Sequence, residues 1–394
     1  MSGFGTNRKA GICKLKLTNF RCYSSLALEV DTETPVILTG NNGAGKTNML
    51  EAISFLVPGR GLRHARFADV ARHNSELLTA NENNIAHLPV RWAVAATISS
   101  PLGEFEVGTG CEGVKEGVER RQVRINGQPA KSQSDLGELM SAVWLTPAMD
   151  RLFCGEVSQR RRFLDRLVQA FDSGHAGRTT AYANAYKQWG RLLREGCTDS
   201  GWLKALENTM AEYGVAVAAA RRELILRLQP FLAEGDGVFP RAEISLDGEL
   251  ENLLASEPAL KIEDGFREKL ERSRGIFADG GFVSGPHQTD LLVRHEKGME
   301  AALCSTGEQK ALLVSIIIAQ SRAQIQQSGH APVMLLDEVA AHLDKKRRDA
   351  LFAILLGLNA QVWLTGTEPS PFESLYGKAQ FFDVENAVVS AAVA

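Results

Sequence analysis

Hydrophobic positions fall into three regimes along the chain. From Lys14 to about Gly155 the apolar residues come in short runs, several alternating with polar ones at a period of two, as in "LKLTNF", "LALEV", "RWAVAATIS", "GEFEVGTG", "RRQVRINGQ" and "SAVWLTP". These predict half-buried strands, with Asn126-Gly127 in "INGQ" supplying a hairpin turn. From about Glu156 to Ala278 the spacing becomes helical in "EVSQRRRFLDRLVQAF", "TTAYANAYKQWGRLLREG" and "WLKALENTMAEYGVAVAAARRELILRLQPFL". A strand-like break at "ISLDGELENLL" interrupts this stretch, which contains no heptad array long enough for an extended coiled coil. Beyond it, "GPHQTDLLVR", "TGEQKALLVSIIIAQSRAQ", "PVMLLDEVAAHLD" and "AQVWLTGT" restore the strand and helix alternation of a parallel sheet. The final "AVVSAAVA" reads as a small terminal strand or a frayed tail. The pattern predicts an α/β protein in which residues 1–155 and 279–394 form one mixed-sheet lobe around an inserted helical lobe, 156–278.

One strand-to-helix junction carries chemistry. After the apolar run "PVILTG", the spacing Gly40-x-x-x-x-Gly45-Lys46-Thr47 opens the helical "TNMLEAISFL", the context a phosphate-binding loop requires. Glycines at 40, 43 and 45 let successive backbone N–H groups of Gly40, Asn41, Asn42, Gly43, Ala44 and Gly45 turn toward an anion, with Asn48 in the first turn of the helix behind them. The helix N-terminus adds roughly half a positive charge. Lys46 is placed to bridge β- and γ-phosphates and Thr47 to ligate Mg2+, so a nucleoside triphosphate is the expected guest.

Composition bounds the remaining choices. With 394 residues, 44% hydrophobic and 23% charged, the chain has enough material for two lobes and no signature of long disorder. Its six cysteines show no metal-ligand spacing, the N-terminal stretch lacks a signal-peptide core, and "ALLVSIIIA" is too short for a membrane span. A cytoplasmic protein without a structural zinc is expected. The net charge of −3 argues against a globally basic nucleic-acid binder but leaves room for a basic face.

A second half-site lies far downstream. The apolar strand in "PVMLLDEVAAHLD" delivers Asp337 and Glu338 at its carboxyl end, where open α/β sheets hold their ligands. Asp337 is expected to hold Mg2+ through its water shell, and Glu338 to act as general base on the attacking water. In "CSTGEQKALLVSIIIA", Ser305 and Glu308 have the spacing of a capping box ahead of an apolar helix. Two readings fit that helix: a well-capped core element, or an ABC-type signature whose Ser305 hydroxyl and Gly307 backbone face a γ-phosphate held by another subunit. The order of phosphate loop, long insertion, Ser-x-Gly helix, Asp-Glu strand and "AHLD" favours the signature.

The segments "LKLTNFRCYSSLALEV", "GNNGAGKTNMLEAISFL", "GRGLRHAR", "RRRFLDRL", "GPHQTDL", "STGEQKALL" and "LLDEVAAHLD" resemble, in order and spacing, the bacterial RecF family of recombination and gap-repair ATPases. The similarity covers nearly the whole chain. It implies an ABC-type P-loop ATPase head related to SMC proteins, with a compact helical lobe in place of a long coiled coil. It implies a homodimer formed on ATP, on double-stranded DNA and at single/double-strand junctions. It further implies weak DNA-stimulated ATPase activity, action with RecR and RecO in loading RecA, and roles in gap repair and replication-fork maintenance. Carried over by motif, Gly40 to Thr47 bind the nucleotide, Ser305 to Glu308 form the signature, Asp337 and Glu338 the second acidic motif, and Asp344 the D-loop acid. Arg21, in "NFRCY", becomes a candidate for the nucleotide's phosphates or base.

The chain departs from the family pattern at three places. Pro147-Ala148-Met149-Asp150 stands where Pro-Glu-Asp-Leu is usual, and Gln288 and Thr289 where Arg and Asp are common. Thr365-Gly366-Thr367 follows "AQVWL" where many ABC proteins place a γ-phosphate histidine. The first and third departures imply slow turnover. For DNA, grip through phosphates needs Lys and Arg on one face, and the candidates are Arg60, Arg63, Arg66, Arg72, Arg160, Arg161 and Arg162. The triple-arginine helix reads equally as a solvated face, because Phe163, Leu164 and Leu167 bury its other side. The absence of an aromatic ladder favours duplex over single-stranded DNA. Two other readings share the phosphate loop: an ATP-locked scaffold with vestigial hydrolysis, and a P-loop kinase, which has no use for "STGEQ" or "AHLD".

Overall fold

The computed structural model describes residues 9–72, 91–100, 103–112, 121–235 and 237–392. The first part of the chain forms β1 (Gly11–Phe20), β2 (Tyr23–Glu29), β3 (Val36–Thr39), α1 (Lys46–Ser54), the one-turn α2 (Phe67–Val70), β4 (Arg91–Ser100), β5 (Gly103–Glu112), β6 (Arg121–Ile125), β7 (Gln128–Pro129), α3 (Asp135–Leu139) and β8 (Ala142–Leu145). Helices α4 (Val157–Gln169), α5 (His175–Arg194) and α6 (Ser200–Glu234) follow, then β9 (Ala242–Asp247), α7 (Glu249–Leu253), α8 (Ala259–Arg272), α9 (Arg274–Ala278) and β10 (Asp290–His295). The last part comprises α10 (Thr306–Ser328), β11 (Val333–Leu336), α11 (Lys345–Gly357), β12 (Val362–Gly366), β13 (Gln380–Glu385) and β14 (Val388–Ala392).

The chain divides into two compact units, Met1–Met149 with Gln324–Ala394, and Asp150–Ala323. The first unit holds two sheets. One is antiparallel, in the order β2-β1-β4-β5-β6-β7; the other runs β14-β13-β3-β12-β11-β8, parallel except for the edge strand β14. Strands β3, β8, β11 and β12 are buried at every position, which is why they read as continuous apolar runs rather than alternating ones. Phe20, Phe55 and Trp92 meet at tilted and edge-to-face angles under the antiparallel sheet. Side-chain amides join the two layers: buried Gln361 accepts from the Ile12 N–H and donates to the Ile12 carbonyl, both at 2.8 Å. Gln380 binds the Asp31 N–H and carbonyl in the same way at 2.8 and 2.9 Å. The predicted turn at Asn126-Gly127 is present, both residues having positive φ, and the tail forms β14, with residues 393–394 outside the described range.

The second unit is helical around Tyr182, Trp189, Met210, Val215, Phe266 and Leu270. Its buried charges answer one another. Arg221 holds Asp165 through two bonds of 2.8 and 3.0 Å, reaches the Pro286 carbonyl at 2.6 Å and lies 3.4 Å from Glu251, which accepts from the Thr289 hydroxyl at 2.7 Å. Arg221 and His175 draw the Asp165 carboxyl down to about 2 against the opposing effect of burial.

The expected lobe boundary at 278 does not match this division. Strand β10, expected in the parallel sheet, instead pairs antiparallel with β9 from Asp290↔Asp247 to His295↔Ala242. The ribbon is anchored by Asp290 to Arg160 on α4 and by Thr289 to Glu251 on α7, so the chain stays in the helical unit until Ala323. The break at "ISLDG" is therefore half of a strand pair whose partner lies 43 residues on (247 to 290).

His287 supplies a pH probe of this unit. Its Nδ1 lies 2.7 Å from the Tyr182 hydroxyl, its ring packs on Tyr186, and burial with the charges of Arg161 and Arg221 pushes it down to about 4, opposed by the Val283 backbone. Between the ordinary 6.5 and 4 the unfolded chain binds the extra proton, so this contribution to stability is present at neutral pH and lost as pH falls through that window. The expected loss is on the order of 1–3 kcal/mol. Denaturant titrations of His287→Asn across this window should show a flatter dependence than the parent.

Candidate functional site

The phosphate loop is shaped by its neighbours as much as by its own sequence. Gly40, Gly43 and Gly45 have φ of 142°, 83° and 122°, and a Cβ on Gly40 would fall 2.1 Å from the Val384 carbonyl oxygen. A Cβ on Gly45 would meet the Tyr23 hydroxyl at 2.7 Å. That hydroxyl donates to the Gly45 carbonyl at 3.1 Å, and the Ala387 N–H, in the turn between β13 and β14, donates to Ala44 at 3.0 Å. The loop is thus bound from two sides before any ligand arrives. Lys46 is buried, its ammonium lying 2.6 and 2.9 Å from the Gly40 and Asn41 carbonyls, and desolvation lowers its pKa. An anion on the loop would restore the charge balance that burial disturbs.

The parallel sheet brings the second acidic motif to this loop. Asp337 follows β11 directly, and its two carboxylate oxygens lie 2.9 and 3.0 Å from the Thr47 hydroxyl, 290 residues away. Thr365, on the adjacent β12, donates to the same carboxylate at 2.8 Å and accepts the Glu338 N–H at 2.9 Å. Glu338 sits in the left-handed region at φ 52°, a conformation that costs a non-glycine residue about 1–2 kcal/mol. Burial raises the pKa of Asp337, opposed by the bonds from Thr365 and Thr47 and by the charge of Arg63. A hydroxyl and a carboxylate at this separation form an all-oxygen donor set, the kind Mg2+ requires. The residues present therefore fit the ion, and Thr47 and Asp337 are the pair that would hold it.

Two arginines belong to this site. Glu51, fully buried on α1, accepts Arg21 through bonds of 2.9 and 2.6 Å and Arg63 at 3.1 Å. Arg63 also donates to Asn48 at 2.9 Å, and it stands near enough to Asp337 to affect its charge. The sequence names Arg63 as a DNA candidate; in the structure it leans on the phosphate-loop helix with 42% of its side chain still exposed. Arg21, the nucleotide candidate, is held on the same helix by Glu51 and donates its third nitrogen to the Asp69 carbonyl at 2.5 Å.

The other candidates separate. Arg160 is taken up internally: it grips Asp290 through two 2.7 Å bonds and donates to the Phe153 and Gly155 carbonyls, with 14% of its side chain exposed. Arg161 is half-buried and donates to the Thr289 carbonyl at 3.2 Å. The expected availability of Arg160 for DNA is corrected by these bonds; Arg161 gives up one N–H, and Arg162, Arg60, Arg66 and Arg72 are exposed. Asp344 is exposed and caps α11 through the Arg347 N–H at 2.9 Å. Asp150, in the altered loop, lies 3.4 Å from buried Lys310.

Ser305 and Glu308 form the predicted capping box. The Glu308 carboxylate accepts the Ser305 N–H at 3.0 Å and its hydroxyl at 2.7 Å, which lowers the pKa of Glu308. Ser305, Thr306 and Gly307 are all exposed, and a Cβ on Gly307 would meet nothing. This chain's own fold therefore makes no steric demand for glycine at 307. Sequence reasoning missed Tyr23, Glu51 and Thr365. The first two flank named motifs, and Thr365 was registered only as an absent histidine.

The chain from residue 11 to 388 matches the family model described as the RecF/RecN/SMC N-terminal domain. It is 49% identical to the DNA replication and repair protein RecF of Mesorhizobium japonicum, covering 96% of this chain and 97% of that one. The RecF of Rhizobium meliloti is 45% identical over 97% and 99%. Among solved structures, recombination mediator protein RecF-ATPrS of the RecFOR pathway superposes with a TM-score of 0.81 at 20% identity, over 99% of this chain and all of that one. An SMC head bound to the C-winged-helix domain of ScpA gives 0.53 at 13% identity, over 97% of each chain. The fold is that of an ABC-type ATPase head, and the chain belongs to the RecF family of DNA replication and repair proteins.

Tyr23→Phe removes one hydroxyl from beneath the loop without opening a cavity. It should lower stability by about 1 kcal/mol in thermal unfolding. It should also weaken binding of a fluorescent ATP analogue several-fold.

Proposed function

We propose that the protein is an ATP-dependent DNA-binding ATPase of recombinational gap repair and replication-fork maintenance, whose dimer closes on duplex DNA near single-strand gaps. The observation that carries this reading is the pair of unlike half-sites. Thr47 is bonded to Asp337, and Lys46, held on the same loop, is close enough to Asp337 and Glu338 to feel their charge. Ser305 to Gly307 stand exposed in the other compact unit, at a helix start whose capping box pairs the Ser305 and Glu308 N–H groups and takes no bond from those of Thr306 and Gly307. A second protomer's triphosphate is the ligand that would use that surface.

In this mechanism the loop N–H groups and Lys46 hold the phosphates, and Thr47 and Asp337 would hold Mg2+. The ion, when bound, neutralises charge developing on the γ-phosphoryl group. Glu338 takes the proton of the attacking water, and the partner's signature orients the γ-phosphate from the far side. Arg21 and Arg63 lend positive charge to the same locus from their common seat on Glu51. DNA would be gripped by phosphate contacts through Arg60, Arg66, Arg72 and Arg162. Work in the cytoplasm with RecO and RecR, loading RecA, is supported by family membership and by the RecFOR pathway named for the structural relative.

A scaffold reading, in which ATP locks the dimer and turnover is vestigial, is favoured by the lack of a histidine in Thr365-Gly366-Thr367. Glu338→Gln separates the two. The clamp predicts at least about a tenfold loss of turnover and a long-lived ATP-bound, DNA-bound dimer in sedimentation, whereas the scaffold predicts an unchanged dimer lifetime. Ser305→Arg should abolish ATP-induced dimerisation while leaving ATP binding to the monomer within about twofold, since Lys46 and its loop remain intact.

A further inference from the structure

Thr365 holds a position no motif assigns. It lies on β12, between β3, which leads into the phosphate loop, and β11, which ends in the two acids; its register partner on β3 is Leu38, and Leu364 pairs with Leu336 on β11. The side chain is fully buried. A hydroxyl has one proton, and here it goes to Asp337 Oδ1 at 2.8 Å, leaving a lone pair for the Glu338 N–H at 2.9 Å. The orientation of the group is therefore fixed by its partners. The same carboxylate also accepts from Thr47, and the Asp337 N–H is tied to the Leu145 carbonyl of β8 at 2.9 Å. Asp337 is thus held from several directions. Glu338 is different: its peptide turns into the left-handed region immediately after the strand, and the bond to Thr365 is what anchors its N–H.

We propose that Thr365 is a positioning residue for ATP hydrolysis, setting the backbone of the general base Glu338 and the metal-holding carboxylate of Asp337 through a single hydroxyl. The inference rests on Glu338 acting as base in the reading above. A single hydroxyl oxygen donates to Asp337 and accepts from the Glu338 N–H at the same atom, a pairing that threonine or serine can make. Since Lys46 and the loop hold the phosphates independently of Thr365, loss of the hydroxyl should reach turnover and spare binding.

The test uses the full chain with Thr365→Val, which keeps the shape and removes both bonds, and Thr365→Ser, which keeps them. Turnover of the valine variant should fall at least about tenfold with the KM for ATP within about twofold, and serine should return it to within about threefold of the parent. Without nucleotide, amide hydrogen exchange in a peptide spanning Glu338 should quicken in the valine variant and not in the serine one. With ATP, its dimer should outlive that of the parent. Unaltered exchange and turnover in the valine variant, or a fall in turnover matched by an equal rise in KM, would overturn the assignment. Glu338→Gln run alongside keeps the two claims apart. If it leaves turnover and dimer lifetime unchanged, the clamp reading fails; if it traps the dimer while Thr365→Val behaves as the parent, the positioning role alone fails.

Discussion

A carboxylate withdrawn from water must be answered by donors, and the architecture of the first unit can be read as the answer to Asp337. Its oxygens are met by Thr47 from the start of the chain and Thr365 from near the end, across a sheet in which β3, β12 and β11 are adjacent and parallel. A one-residue slip of either strand pairing would turn one of the threonines to the opposite face and leave the acid with an unmet oxygen. The register of the sheet and the chemistry of the site are consequently one constraint. The fully apolar strands make that register affordable, since they bury on both faces and leave the polar ends as the only places where alignment has electrostatic consequences.

What could be read from the sequence was whatever is local. The phosphate loop announces itself in eight residues with a strand before and a helix after, the two acids close an apolar run, and Ser305 and Glu308 sit three apart as a capping box must. What could not be read was pairing across distance. Nothing near Asp290 shows that it will be gripped by Arg160, so an arginine cluster that looks like a basic face becomes in part an internal strut. Arg63 likewise stands among other arginines in "GRGLRHAR", and only the folded chain shows that it shares Glu51 with Arg21. The β9 and β10 ribbon fails for the same reason: each strand is short, and neither carries the mark of its partner.

The departures from the family pattern also take a physical meaning. Thr289, where an aspartate is common, is fully buried against Glu251, beside Arg221. A second carboxylate there would face Glu251 directly and add a repulsion to a cluster already holding two acids. Asp290, the next residue, is the carboxylate that binds Arg160.

The amides of Gln361 and Gln380 join the two sheets of the first unit without any net charge. Neutral bonds of this kind respond weakly to ionic strength and do not titrate at physiological pH. Raising the salt concentration would strip phosphate contacts from the protein while the nucleotide-binding body itself stays assembled. Under the proposed phosphate-mediated grip, electrolyte would act selectively, loosening a nucleic acid while these neutral links between the sheets persist.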